Sequence, residues 1–348
     1  MGLKSIRDRL SKEGVEAFLI THLVNVRYLS GFTGSFAALL ISPQEALFIT
    51  DSRYEEQSSQ EVSSQFSKVI LKPGERLSQI IGEHGWRSLA IEDTLTLAQY
   101  NRLKEALGEV RLVTWSGVVE GLRKIKSKEE IAKIKKAVEL AQKAYLGVKE
   151  DIKPGKVERD VALDMEFIMR KAGAQAAAFD FIVASGYRSA LPHGTASSKE
   201  IQAGDLVILD FGARWEGYHS DITRTLKVGE WSDWGEKIYR LVLEAQEAAL
   251  EAVKPGMMAK DVDALARRVI EEGGYGEFFG HGLGHGVGLE VHEAPSLSPS
   301  SQDILEEGMV FTLEPGVYLP GKGGVRVEDM VYLGPHGPEV LTNLEKER

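Results

Sequence analysis

Two stretches decide the fold: "AQKAYLGVKEDIKPGKVERDV", residues 141–161, and "AQEAALEAVKPGMMAKDV", residues 245–262. Each reads as a helix stopped at Lys-Pro-Gly, then a polar helix start that reaches Asp160-Val161 or Asp261-Val262. Proline lacks the N–H that a helix interior needs and glycine accepts the turn that follows, so both copies stop for one reason. A second helix follows in each and ends at glycine, in "RKAGA" and "EEGGYG", with strand-like sequence after it. This order, found twice, predicts an internal α/β duplication in which paired helices cover sheets whose inner faces form a cleft.

Upstream of the duplication the pattern changes. "VEAFLIT", "SFAALLI", "EALFITD" and "SLAIED" are short, β-rich and bounded by turn residues. "MGLKSIRDRLSKEG", "SRYEEQSSQEVSSQ" and "LAQYNRLKEALG" carry helical spacing between them. The expectation is a small α/β domain over residues 1–121 and a second domain over 122–348. Ser127, with Glu130 three residues on, predicts the N-cap of the first long helix beyond the boundary. The charged run "SKEEIAKIKK" is then a solvated helix face.

The 348-residue chain is 43% apolar and 27% charged, the profile of an ordinary globular protein. No apolar run reaches the roughly 18 residues of a membrane span. The N-terminus spreads its charges at helical spacing and has no signal-peptide core. With no cysteine, disulfides, thiolate nucleophiles and zinc–thiolate sites are excluded. These features fit a cytoplasmic address. A net charge of −10 without a basic block argues against a nucleic-acid partner.

The chemistry concentrates in two hairpins, one in each half. In "DLVILDFGARWEGYHSDITRTLKV", residues 205–228, two β-rich runs flank "RWEG". With Trp215 and Glu216 as turn residues, Asp210 falls directly opposite Asp221. In "MVFTLEPGVYLPGKGGVRVEDMVYL", residues 309–333, a three-residue loop near Gly321 sets Glu314 opposite Glu328. Like charges facing across a sheet are destabilising, so each pair needs a cation, a shared proton or open water. Four carboxylates and one or two histidines form a hard, oxygen-rich set able to hold two divalent cations, Mn²⁺ or Co²⁺ ahead of Mg²⁺ or Zn²⁺.

"HGLGHGVGLEVHEAPS", residues 281–296, holds three of the eight histidines. His281 and His285 have the spacing of a zincin pair, but Gly282 stands where the catalytic glutamate belongs, and the alternating glycines oppose a helix. Such glycines point instead to close backbone approach. No GxSxG elbow exists for serine hydrolysis. Phe181, Tyr187 and Tyr218 are candidate pocket walls.

On these motifs the chain resembles, over nearly its whole length, the proline-specific metallopeptidases of the pita-bread fold, the prolidases and Xaa-Pro aminopeptidases. It is most similar to the compact prokaryotic prolidases. The resemblance implies a small α/β creatinase-like N-terminal domain, matched by "NVRYLSGFTGS" and "TDSRYEEQ", ahead of a pseudo-two-fold pita-bread catalytic domain. It implies two metal ions on Asp210, Asp221, His285, Glu314 and Glu328, through the Asp hairpin, "GHGVGLEVHE", "EPG" and "VRVED". His193 in "LPHGTAS", His292 and His281 match the family's outer histidines, which bind substrate or shuttle protons. Arg326 matches another family arginine, a candidate for substrate binding or for bracing the metal site. The sequence departs from the family at Ser296, where many prolidases carry an arginine that grips the substrate carboxylate.

The expected reaction is hydrolysis of an Xaa-Pro bond, with Glu314 as proton acceptor and His193 and His292 steadying the carbonyl oxygen. Other readings are an aminopeptidase acting on longer Xaa-Pro peptides, a methionine aminopeptidase, creatinase-like chemistry, and a metal-free binding or scaffolding protein. The N-terminal domain speaks against a methionine aminopeptidase, and the full ligand set against a metal-free protein. The resemblance also implies a homodimer.

Overall fold

The computed structural model describes residues 2–230 and 232–347. The chain divides after Arg123 into two compact units.

The first unit is built on a six-stranded mixed sheet. Its central strand, Ala17–Ile20, pairs antiparallel with Ala38–Ile41 and parallel with Ser88–Glu92. Alternation along this strand explains the layers on both faces. Phe18 and Ile20 pack with Ile6 and Leu10 of the helix Gly2–Glu13. Ala17 and Leu19 pack on the other face with Ile81 and Leu103. Two strands escaped the sequence patterning, Ser67–Leu71 and Arg111–Trp115. They occupy the two sheet edges, where only Leu71 and Trp115 are buried and the apolar signal is weak.

The second unit carries the duplication. Helices Lys128–Val148 and Glu158–Lys171 pack together in its first half, and Asp233–Ala252 and Ala259–Glu272 in its second. Ser127 caps the first helix through a capping box with Glu130. Both Lys-Pro-Gly turns are built alike. Gly155 and Gly256 have φ of 89° and 91°, the left-handed region that glycine enters without penalty. The Gly155 amide donates to the Ile201 carbonyl and the Gly256 amide to the Leu305 carbonyl. Residues just beyond, Val157 and Met258, bridge to Glu200 and Ile304. Each half then lays down antiparallel sheet: Ile182–Ser185, Leu206–Phe211 and Ile222–Lys227 in the first, a five-stranded sheet in the second. No helix among the described residues is long and apolar enough to cross a membrane.

Candidate metal centre and substrate cavity

The first hairpin differs in register from the sequence expectation. Its turn residues are Glu216 and Gly217, with Trp215 paired to Tyr218 and Arg214 to His219. Among the described residues Glu216 is the one non-glycine with positive φ, 45°, followed by Gly217 at 82°. This is the conformation that two-residue hairpin turns demand, and glycine belongs inside the turn, not after it. The register therefore slips by two, and Asp210 pairs with Thr223 instead of Asp221. A slip of two keeps every side chain on its face, so Asp210 and Asp221 remain diagonal neighbours.

The second hairpin has the expected register. Leu313 pairs with Asp329 on one side and Gly316 with Arg326 on the other, which sets Glu314 across from Glu328. The two hairpins meet where the Glu328 amide donates to the Thr223 carbonyl. Asp210, Asp221 and Glu328 each bring one carboxylate oxygen within 4.8 Å of the others, and a ring nitrogen of His285 lies equally close to one oxygen each of Glu314 and Glu328. The five residues thus converge. His285 Nε2 stands 3.3 Å from Glu314 Oε1 and 3.6 Å from Asp221 Oδ2, with Nδ1 3.1 Å from the Gly286 carbonyl.

Two glycines make this convergence possible. A Cβ on Gly284 would lie 2.0 Å from the Thr312 carbonyl oxygen, and one on Gly212 only 1.8 Å from that of Ser220. The strands beside His285 and Asp210 approach too closely for any side chain, which accounts for part of the glycine-rich sequence.

The electrostatics are those of an anion cluster with one guanidinium, Arg326, set against four carboxyls. Burial, then the charges of Glu328, Asp210 and Glu314, push the Asp221 carboxyl well above its ordinary range. Burial with Glu314 and Asp210 does the same to Glu328. Burial also raises Asp210, although Arg326 opposes it. Burial would raise Glu314 too, but the hydrogen bond and charge of His285 outweigh it and hold this carboxyl down at about 2. Asp210 Oδ1 and Asp221 Oδ1 are buried without any hydrogen-bond partner. Buried carboxylate oxygens normally find partners, so two orphans facing a shared space fit divalent cations, which take oxygen ligands from several carboxylates at once.

Around the cluster lies a cavity of about 500 Å³ lined by His193, His281, His285, His292, Phe179 and Ser296 among others. The His292 ring is 4.2 Å from that of His285, centroid to centroid. It also comes within 4.8 Å of Asp221, so it reaches the acid cluster itself. Burial, with the charge of His285, lowers the His292 pKa.

Four candidates for substrate contact or pocket wall are used differently, Arg326 in the bracing role that was its alternative. Arg326, a candidate for substrate binding, is committed: it donates to Asp210 Oδ2 at 2.5 Å, the Tyr318 hydroxyl at 2.8 Å, the Pro192 carbonyl at 3.0 Å and Thr223 Oγ1 at 3.1 Å. It braces the cluster. Phe181 is buried against Phe211 and faces a neighbouring cavity, while Phe179 takes the place at the cavity wall. Tyr218 donates to Glu130 and Tyr187 is exposed, and neither lines the cavity. His219 braces the glycine-rich loop, its amide donating to the Gly288 carbonyl and its Nδ1 lying 3.2 Å from it.

Sequence reasoning missed Tyr318, which lies 3.0 Å from His281 Nε2 and links that histidine through Arg326 to Asp210. It also missed Thr223, which donates to Glu328 at 2.8 Å. Both lie near a carboxylate already singled out, Tyr318 four residues after Glu314 and Thr223 two after Asp221, but that spacing does not identify their partners.

Comparison with known proteins agrees with this geometry. Residues 132–335 match the model of metallopeptidase family M24, and residues 3–125 match that of the creatinase/prolidase N-terminal domain. The Xaa-Pro dipeptidase of Pyrococcus horikoshii is 42% identical over 99% of this chain and 97% of its own length. The structure of an Xaa-Pro dipeptidase from Bacillus anthracis superposes with a TM-score of 0.95 at 45% identity, covering 99% of this chain and 98% of that one. That of an X-Pro aminopeptidase from Thermotoga maritima gives 0.88 at 44% identity, covering 96% and 97%. The chain belongs to metallopeptidase family M24, whose members work with divalent metal ions, and carries a creatinase/prolidase N-terminal domain ahead of the catalytic one.

Proposed function

We propose that this chain is an Xaa-Pro peptidase, a dipeptidase of the prolidase type, acting as a cytoplasmic homodimer on small peptides with proline in the second position. The observation that carries the reading is the convergence of Asp210, Asp221, His285, Glu314 and Glu328, two of them with orphaned buried oxygens, at a histidine-lined cavity. These five would hold two divalent cations, Mn²⁺ or Co²⁺ by donor type with Zn²⁺ next, and the ions would supply carbonyl polarisation and acidification of a water.

The remaining work falls to the chain. The acid cluster attracts the free α-amine of Xaa, which orients the peptide N-terminus inward. Glu314 accepts the proton of the attacking water on a carboxylate oxygen; its ordinary state is ionised, since His285 holds its pKa at about 2 after burial is counted. His292 and His193 donate to the carbonyl oxygen as it gains charge. His281, kept neutral by burial, faces the substrate with its ring steadied by Tyr318. A proline nitrogen has no N–H and a fixed φ, so it fails in sites that capture substrate as a strand. A compact cavity walled by Phe179 and histidines suits it.

A second reading, an aminopeptidase on longer Xaa-Pro peptides, is favoured by one observation. Ser296 lines the cavity, and Arg326 is occupied by Asp210, so neither offers a free cation for a dipeptide carboxylate. The test is a panel of Xaa-Pro, Xaa-Pro-Yaa and Met-Ala peptides on metal-stripped protein, each divalent ion added back in turn. Metal-dependent proline release from dipeptides supports the dipeptidase, and cleavage of the longer set only supports the second reading. Folded protein that cuts no Xaa-Pro bond with any ion refutes both.

A further inference from the structure

His281 sits in a segment, residues 279–283, held from outside the cavity by one ion pair. Arg267 lies on the helix Ala259–Glu272 and reaches Asp263 one turn earlier, with Nε–Oδ2 at 2.8 Å and Nη2–Oδ1 at 2.9 Å. The same guanidinium donates to the Phe279 carbonyl at 2.9 Å and to the carbonyl of His281 itself at 2.8 Å. It also lies 4.2 Å over the Phe279 ring, which meets the His281 ring edge-on at 5.1 Å. Asp263 completes the grip by accepting from the Leu283 amide at 3.0 Å.

An ion pair four residues apart on a helix is commonplace and contributes little when solvated. This one is different, because the Asp263 side chain is only 1% exposed and both partners use their remaining capacity on the loop. Two carbonyls and one amide of a five-residue segment are fixed by a single bidentate pair, which only a planar guanidinium can arrange. The other half of the unit has a comparable device built from other residues. Glu158, wholly buried, accepts from Ser185, Ser197 and Arg188, and Arg188 donates to the Thr195 carbonyl, two residues beyond His193.

We propose that Arg267 and Asp263 are positioning residues that set the His281 imidazole for substrate, acting through the backbone of residues 279–283. The proposal rests on the Xaa-Pro peptidase reading for what His281 touches. Its geometric content does not depend on that reading. Displacements of about an ångström in a substrate-side group cost up to about a hundredfold in rate, so a loosened segment has a measurable consequence.

The experiment compares Arg267→Lys, Arg267→Met and the charge-free double variant Asp263→Asn/Arg267→Gln, all metal-loaded, with the wild-type chain. The double variant leaves no lone buried charge and keeps the test open if Arg267→Met fails to fold. Arg240→Gln, which removes an exposed pair with Glu236, is the control. Expected are a rise in KM for the best Xaa-Pro substrate, a fall in kcat/KM of about tenfold or more, unchanged bound metal, and little recovery by lysine. In the Zn²⁺-loaded proteins, where the ion is diamagnetic, imidazole NMR signals of His281 should move while those of His84 and His336 stay. Folded variants with a lowered Tm but unmoved KM and His281 signals overturn the proposal, since the pair then only braces the helix. A wild-type chain inert on Xaa-Pro whose His281 signals still move in Arg267→Lys keeps the positioning role and sinks the substrate reading.

Discussion

Asp221→Asn should stabilise the metal-free chain and lose most or all of that advantage when metal is present. In the metal-free chain Asp221, Asp210 and Glu328 each bring one carboxylate oxygen within 4.8 Å of the others. At that separation and an effective dielectric of about 20, each charged pair repels by about 3.5 kcal/mol. Protonation relieves part of this, and burial with the neighbouring charges raises Asp221 and Glu328 accordingly. The sign follows from linkage. A carboxyl raised in the folded state contributes stability below its unfolded pKa of about 4, and that contribution is lost as pH rises through the folded value. At pH 8 in chelator the amide should therefore recover about 1–3 kcal/mol, or roughly 2–4 °C of Tm per kcal/mol for a unit of this size. At pH 4 it should recover almost nothing. With metal a hundredfold above Kd the wild-type chain gains about 2.7 kcal/mol, whereas the variant, short of one proposed ligand, should lose most of that increment. Calorimetry in EDTA and in Mn²⁺, at both pH values, reads all four corners. A variant less stable than wild type in chelator at pH 8, or one given the same increment by metal, refutes the account of the cluster.

Three further outcomes are expected. Arg326→Met strands Asp210, Tyr318 and the Pro192 carbonyl; breaking this buried pair should cost about 3–5 kcal/mol in a denaturant titration, and an unchanged midpoint would show that the brace is unimportant. Ser296→Arg places a guanidinium at the cavity wall and should raise preference for Xaa-Pro over Xaa-Pro-Yaa by about tenfold, the worth of one charge-assisted contact; equal kcat/KM ratios in the two proteins would contradict it. Ser127→Ala removes the capping-box acceptor of the Glu130 amide; a loss of about 1 kcal/mol is expected with kcat unaltered.

The sequence alone determined a good deal. The two Lys-Pro-Gly turns, the Ser127 capping box and the alternating strands are local features, fixed by backbone sterics and by side-chain periods of 2 and 3.6 residues. For the same reason Glu314 and Glu328 were legible as partners: three residues of loop and the alternation along each arm leave only one register. Alternation also put Asp210 and Asp221 on one face, although the turn at Glu216-Gly217 moved their pairing by two residues. The four candidate carboxylates were thus readable from the hairpins, and the family likeness from the motifs, which added His285 to the proposed set.

Tertiary structure decided which groups complete the site. Arg326 reaches an aspartate 116 positions away, Thr223 reaches Glu328 across 105, and Tyr318 joins His281 from a neighbouring strand. Nothing local announces such partners, because a guanidinium or hydroxyl goes wherever packing leaves an unsatisfied oxygen. Phe179 and Phe181 show the same limit. They stand two residues apart in one sequence motif, yet one lines the cavity and the other is packed beside Phe211. Strand period ranks both as inward, and only the surrounding elements determine which inward space is empty.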